Sequence, residues 1–198
     1  HYQAVKAYAY AYYCANFAQP FDGEREPSFR FGAVSGAYVH RGVDWAGSFP
    51  VQAPASGVVT YSGPDGTAGM WKIQNNRTGE VKEWSVFAGN ALYTRDKDKD
   101  SGLYAPEALL ASGDWVDLKP DWGHTDGTVV IIDHGHHLQT RYRHMDIDTS
   151  IARGTRVSKG DRLGMAANHG HSAGAHLHYE LIFTYMGRSE YLNPICPR

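Results

Sequence analysis

Thr128-Val-Val-Ile-Ile-Asp133, bounded by Gly127 and Gly135, is a run of β-branched residues and the strongest strand signal in the chain. Leu138-Gln-Thr-Arg-Tyr-Arg-His144 alternates apolar and polar positions and should pair with it through the turn at Gly135. Upstream, Gly57-Val-Val-Thr-Tyr61 reads as a strand ended by Ser62-Gly-Pro-Asp-Gly66. Val39-His-Arg-Gly-Val-Asp44 reads as a loop entering a strand, Gly154 and Gly160 mark further turns, and His176-Leu-His-Tyr-Glu-Leu-Ile-Phe183 reads as the last strand. Short strands at regular spacing with almost no helical pattern predict a mainly β, antiparallel core.

The composition agrees with one domain, or one domain carrying a large insertion: 198 residues, 42% hydrophobic and 20% charged. It excludes a disordered chain. Nothing in a formal net charge of -2 suggests a nucleic-acid binder, which would normally show a basic face. No apolar run approaches the roughly 20 residues that span a bilayer, so no transmembrane segment is expected. Residues 1–30 form an N-terminal extension rich in alanine and tyrosine, with helix slightly ahead of strand, followed by breaks at Pro20, Gly23 and Pro27. The main domain spans 31–198. Residues 62–127 interrupt its rhythm with Trp71, Trp84, Trp115 and Trp122, a charged run from Arg95 to Asp100 and a short helix around Pro106–Ala111; they read as an insertion between two core strands. The two cysteines, Cys14 and Cys196, lack partners at metal-binding spacing, and a bridge between them would tie the two ends in an oxidising compartment. The chain opens at His1 rather than Met, which fits removal of a leader or a trimmed boundary.

Eleven histidines invite a test for metal-ligand spacing. His40 and Asp44 stand at i, i+4, and His176 and His178 at i, i+2; on strands each pair points to one side. Alternation also places Tyr142 and His144 together at the end of their strand. Three protein ligands and a water is the usual catalytic zinc arrangement, and His and Asp are suitable donors. Zinc brings the pKa of its water to roughly 7 and polarises a carbonyl under attack. Further imidazoles can orient that water and stabilise an oxyanion.

His40-x-x-x-Asp44, Tyr142-Arg-His144-Met and Gly174-Ala-His176-Leu-His178-Tyr-Glu, in that order, resemble the lysostaphin and β-lytic type zinc endopeptidases with LytM-type domains. The intervening text is similar too: Gly42-Val-Asp-Trp45, Val51-Gln-Ala-Pro-Ala-Ser-Gly-Val-Val59, Val157-Ser-Lys-Gly-Asp161 and Asn193-Pro194. The resemblance covers roughly 31–61 and 127–195. It implies a compact antiparallel β fold of duplicated-hybrid-motif type, one zinc ion bound by His40, Asp44 and His178, and catalytic roles for His144 and His176. His134 and Tyr142 are candidate supporting residues. It further implies a hydrolase acting on peptidoglycan stem peptides or cross-bridges, placed outside the cytoplasm, secreted or periplasmic. A non-catalytic wall-binding or hydrolase-activating module of the same fold is the alternative, and a zinc peptidase acting on proteins, including glycine-rich ones, a third reading. The sequence does not identify an inhibitor or immunity partner.

Asp96, Asp98, Asp100 and Glu107 match positions 1, 3, 5 and 12 of a calcium loop, but Ser101 stands where that loop needs glycine. A solvated charged turn is the simpler reading. His136 and His137 read as exposed turn residues and His169 and His171 as loop residues.

Overall fold

The computed structural model describes residues 1–66, 69–86, 105–118, 127–170, 172 and 174–197. They form two compact units. The first comprises His1–Gly63, Val129–Ala167 and His176–Arg198; the second comprises Pro64–Thr128 and Asn168–Ala175. In chain order the elements are α1 (Tyr2–Asn16), β1 (Val34–Ser35), β2 (Tyr38–Val39), β3 (Val43–Ala46), β4 (Pro50–Gln52), β5 (Gly57–Pro64), β6 (Gly69–Asn75) and β7 (Val81–Val86). They continue with α2 (Ala105–Ala111), β8 (Trp115–Asp117), β9 (Thr128–Asp133), β10 (Leu138–Arg143), β11 (Met145–Ile147), β12 (Arg156–Val157), β13 (Arg162–Ala166), β14 (His176–Tyr185) and β15 (Arg188–Leu192).

The main sheet runs β12-β5-β9-β10-β14-β15, with β3 also paired to β14. The expected hairpin is present: β9 and β10 are antiparallel, with Asp133 opposite Gln139 and Val129 opposite Arg143. His136 and His137 both take positive φ in its turn. The ten-residue β14 is the spine of the sheet. One edge pairs with β10; the other is divided between β3, over His176–Tyr179, and β15, over Leu181–Tyr185.

Alternation sorts these strands into two faces. Leu177, Tyr179, Leu181 and Phe183 point one way and are fully or almost fully buried. Val43, Trp45, Val130, Ile132 and Tyr142 share that face and form the core with Val51, Met145, Leu163 and Ala166 from the small sheet β11-β13-β4. Burying each such side chain contributes about 1.5–3 kcal/mol, so the core fixes which face is left for His178.

The ambiguous N-terminal segment is a helix. Tyr2, Val5, Ala9, Tyr12 and Tyr13 recur three or four residues apart, and this stripe packs on Leu138, Leu181 and Phe183. Lys6 and Tyr2 reach Glu190 at 2.7 and 2.9 Å, and the Tyr13 hydroxyl donates to the Pro194 carbonyl at 3.0 Å. Cys14 and Cys196 are disulfide-bonded.

The last-strand expectation needs correction. β14 runs two residues beyond Phe183, turns at Met186-Gly187, both at positive φ, and returns as β15. Arg188-Ser-Glu-Tyr-Leu192 is too polar to announce itself as a strand, but a two-residue turn with positive φ matches the strand twist and sets the return. In the second unit, β7-β6-β8 make an antiparallel sheet around a fully buried Ile73, and the short helix expected at Pro106–Ala111 is α2.

Candidate metal centre

The site is built on the face of the main sheet opposite the core. Because Leu177 and Tyr179 enter the core, His176, His178 and Glu180 must face the other way. The β3–β14 register sets Asp44 directly across from His178. His40 lies just before β3; its N–H donates to the Ala33 carbonyl at 2.9 Å, and its ring packs against Phe29 at 4.4 Å. Gly42 allows the close approach of the loop: a Cβ there would lie 2.4 Å from the Tyr179 carbonyl oxygen and 3.0 Å from His178 Nε2.

Three potential ligand atoms converge. His40 Nε2 is 3.1 Å from Asp44 Oδ1 and 3.0 Å from His178 Nδ1, and His178 Nδ1 is 2.7 Å from Asp44 Oδ1. Among the described residues this is the one cluster of metal-ligating groups. The donor chemistry fits a cation. His40 Nδ1 is 3.1 Å from the Arg30 carbonyl oxygen, which can only accept, so Nδ1 carries the ring proton and Nε2 presents its lone pair to the cluster. A tetrahedral zinc with bonds of about 2.0–2.1 Å needs its donors about 3.3–3.4 Å apart, wider than the observed 3.1, 3.0 and 2.7 Å, so the His178–Asp44 pair would have to open most. His40 and His178 are 3% and 6% exposed, so little water competes for these atoms.

The electrostatics point the same way. Burial alone would raise the Asp44 carboxyl, but the hydrogen bond with His178 and the charges of His178, His176 and His40 outweigh it and hold it below the usual carboxylate range. Burial alone would lower His178; its hydrogen bonds to Asp44 and Glu180, and their charges, raise it above an ordinary histidine. The cluster thus attracts positive charge to its centre, whether as a proton or as a metal ion.

His144 and His176 flank the three atoms. His144 takes φ of +66°, rare for a residue with a side chain, at the corner where β10 ends and β11 begins. Its ring centroid is 4.6 Å from that of His176 and 6.2 Å from that of His178. His176 Nε2 lies 4.0 Å from Asp44 Oδ2.

Two supporting candidates are placed elsewhere. Alternation put Tyr142 beside His144, but the backbone reversal at His144 breaks that alternation. Tyr142 is fully buried in the core, its hydroxyl 2.7 Å from Thr140 Oγ1. His134 sits at the turn end of the β9–β10 hairpin, whereas Arg143, opposite His178, is at the other end, about 17 Å along the strand. His134 bonds the Ser56 carbonyl at 2.9 Å and Thr140 Oγ1 at 2.7 Å. Asp96, Asp98 and Asp100 lie outside the described residues; Glu107 is in α2, and its side chain is not described.

Glu180 closes the Gly174–Glu180 motif, and the motif alone gives it no role. It is 4% exposed, and its Oε1 is 3.0 Å from His178 Nε2. The available signal was its spacing: His176, His178 and Glu180 alternate along one face of β14.

Residues 108–194 match the family described as Peptidase family M23, which bears out the resemblance read from the motifs. The peptidoglycan DD-endopeptidase ShyA of Vibrio cholerae is 45% identical over 74 residues, covering 37% of this chain and 17% of that protein. The chain therefore spans about a sixth of that relative's length. A zinc containing peptidase from Vibrio cholerae superposes with a TM-score of 0.55 at 16% identity, over 92% of this chain and 40% of that one. The catalytic domain of a prophage-encoded M23 protein from Enterococcus faecalis gives 0.50 at 20% identity, over 90% and 95%. At such identities these two structures speak for the fold: mainly β, with antiparallel sheets, as the sequence pattern predicted.

Proposed function

We propose that this chain, with its Peptidase family M23 match, is a zinc-dependent endopeptidase that hydrolyses peptide bonds in peptidoglycan stem peptides or cross-bridges, acting outside the cytoplasm. The observation that carries the reading is the convergence of His40 Nε2, Asp44 Oδ1 and His178 Nδ1 within 3.1 Å of one another from stretches 134 and more residues apart. These three side chains would hold the zinc. A zinc ion bound there would supply Lewis-acid chemistry, acidifying a water and polarising the scissile carbonyl. His144 and His176 are the chain's own proton-handling groups. Their rings stand side by side next to the three ligating atoms, so that one accepts a proton from attacking water while the other donates to the developing oxyanion. The leaving amine then takes its proton from the same pair.

The test joins elemental analysis with digestion of purified sacculi in the presence and absence of chelator. The expected result is one zinc per chain and release of muropeptides that chelator abolishes. His178→Ala should lose both metal and activity. Full activity of His178→Ala on sacculi would refute the ligand assignment, and zinc without any hydrolysis would favour a wall-binding or activating module.

A further inference from the structure

Glu180 is a buried carboxylate with charged neighbours. It sits on β14 with Arg141 directly across the β10–β14 ladder and Arg143 across from His178. Arg141 Nη1 is 3.2 Å from Oε2, and Arg143 Nε is 3.7 Å from Oε1. Oε1 also faces His178 Nε2 at 3.0 Å. A carboxylate flanked by two guanidinium groups accepts hydrogen bonds and does not donate them. The imidazole must therefore donate from Nε2. In a neutral ring that leaves the lone pair on Nδ1, the atom 3.0 Å from His40 Nε2 and 2.7 Å from Asp44 Oδ1.

We propose that Glu180 is a positioning residue of the metal centre: kept charged between Arg141 and Arg143, it selects the Nε2–H form of His178 and so aims Nδ1 at the cation. A histidine ligand's orientation is commonly fixed through its other ring nitrogen, and loss of such a partner typically weakens metal binding about 10–100-fold. The Arg30 carbonyl does for His40 what Glu180 does for His178, through the opposite ring nitrogen. With a cation bound, both rings would then present a lone pair inward. The Glu180 contact is made by a side chain, so substitution can remove it.

This inference rests on the metal-centre reading, and the experiment separates the two. Zinc affinity is measured by chelator competition on the whole chain, as wild type, Glu180→Gln and Glu180→Met, alongside thermal unfolding. Histidine ring nitrogens of the zinc-loaded wild type are assigned by 15N NMR. Glu180→Met keeps the volume without an acceptor and should bind zinc about 10–100-fold more weakly. Glu180→Gln keeps an acceptor oxygen and should recover most of that loss. In the wild type, His178 should carry its proton on Nε2. Zinc binding by Glu180→Met as tight as wild type, or a proton on Nδ1, would overturn the inference while leaving the metal centre standing. Failure of the wild type itself to take up zinc would overturn both. If Glu180→Met does not fold, the ring assignment in the wild type decides alone.

Discussion

At the residue scale, His144 and Gly42 carry separable consequences. His144 contributes none of the three converging atoms, yet its ring lies beside His176. His144→Ala should therefore retain zinc and lose turnover by about 10²–10⁴, the usual contribution of a general acid or base; metal content and kcat measured on one preparation check both halves. Gly42→Ala should do the reverse of a simple surface change. Its methyl would meet the Tyr179 carbonyl and the His178 ring, so the loop must shift and carry His40 with it. Weaker zinc binding and a lower unfolding midpoint are expected together; an unchanged zinc affinity would count against the close-approach argument. Part of this residue-level picture was readable beforehand. The i, i+2 spacing of His176 and His178 defines one face of any strand, so their common side followed from local pattern. The placement of Tyr142 did not follow, because the positive φ at His144 reverses a direction that alternation assumes to continue. The contacts of Glu180 with Arg141 and Arg143 depend on a cross-strand register that no local spacing encodes.

At the scale of elements, the β9–β10 hairpin joins two different chemistries. Its open end lies at the metal centre, and its turn end is fastened by His134 to the Ser56 carbonyl and to Thr140, which in turn meets Tyr142. Burial holds His134 below the ordinary histidine value, against the opposing influence of the Ser56 hydrogen bond and the Asp133 charge. The unfolded chain then binds a proton more readily than the folded one. Stability from this residue is intact above the unfolded value of about 6.5 and falls as pH drops from there through the lower folded value. Urea midpoints measured against pH should decline over that window in the wild type and less in His134→Gln; equal slopes would remove His134 as the cause. The β-branched run of β9 and the alternation of β10 made this hairpin legible from sequence. β15 was not, since Arg188, Ser189 and Glu190 gain their order from pairing with β14 and from Lys6 and Tyr2 of α1.

At the scale of the whole molecule, the Cys14–Cys196 bridge closes nearly the full chain, with a sequence separation of 182. A cross-link of that reach restricts the unfolded chain strongly, and its removal should cost about 2–5 kcal/mol. Denaturant titration of the Cys14→Ser, Cys196→Ser double variant checks the magnitude. Zinc affinity of the folded variant should be unchanged, because neither cysteine borders the converging atoms; a parallel loss of zinc would tie α1 to the site.

The divided edge of β14 carries a further consequence. Asp44 reaches His178 only because β3 lies against that edge in one alignment. Sliding β3 by a single position would turn Asp44 inward and bring Trp45 out. A bound ion would thus act as a molecular latch, penalising every misaligned arrangement of the two strands. Occupancy would then be felt as slower opening at β3, where amide hydrogens should exchange more slowly with metal than without it.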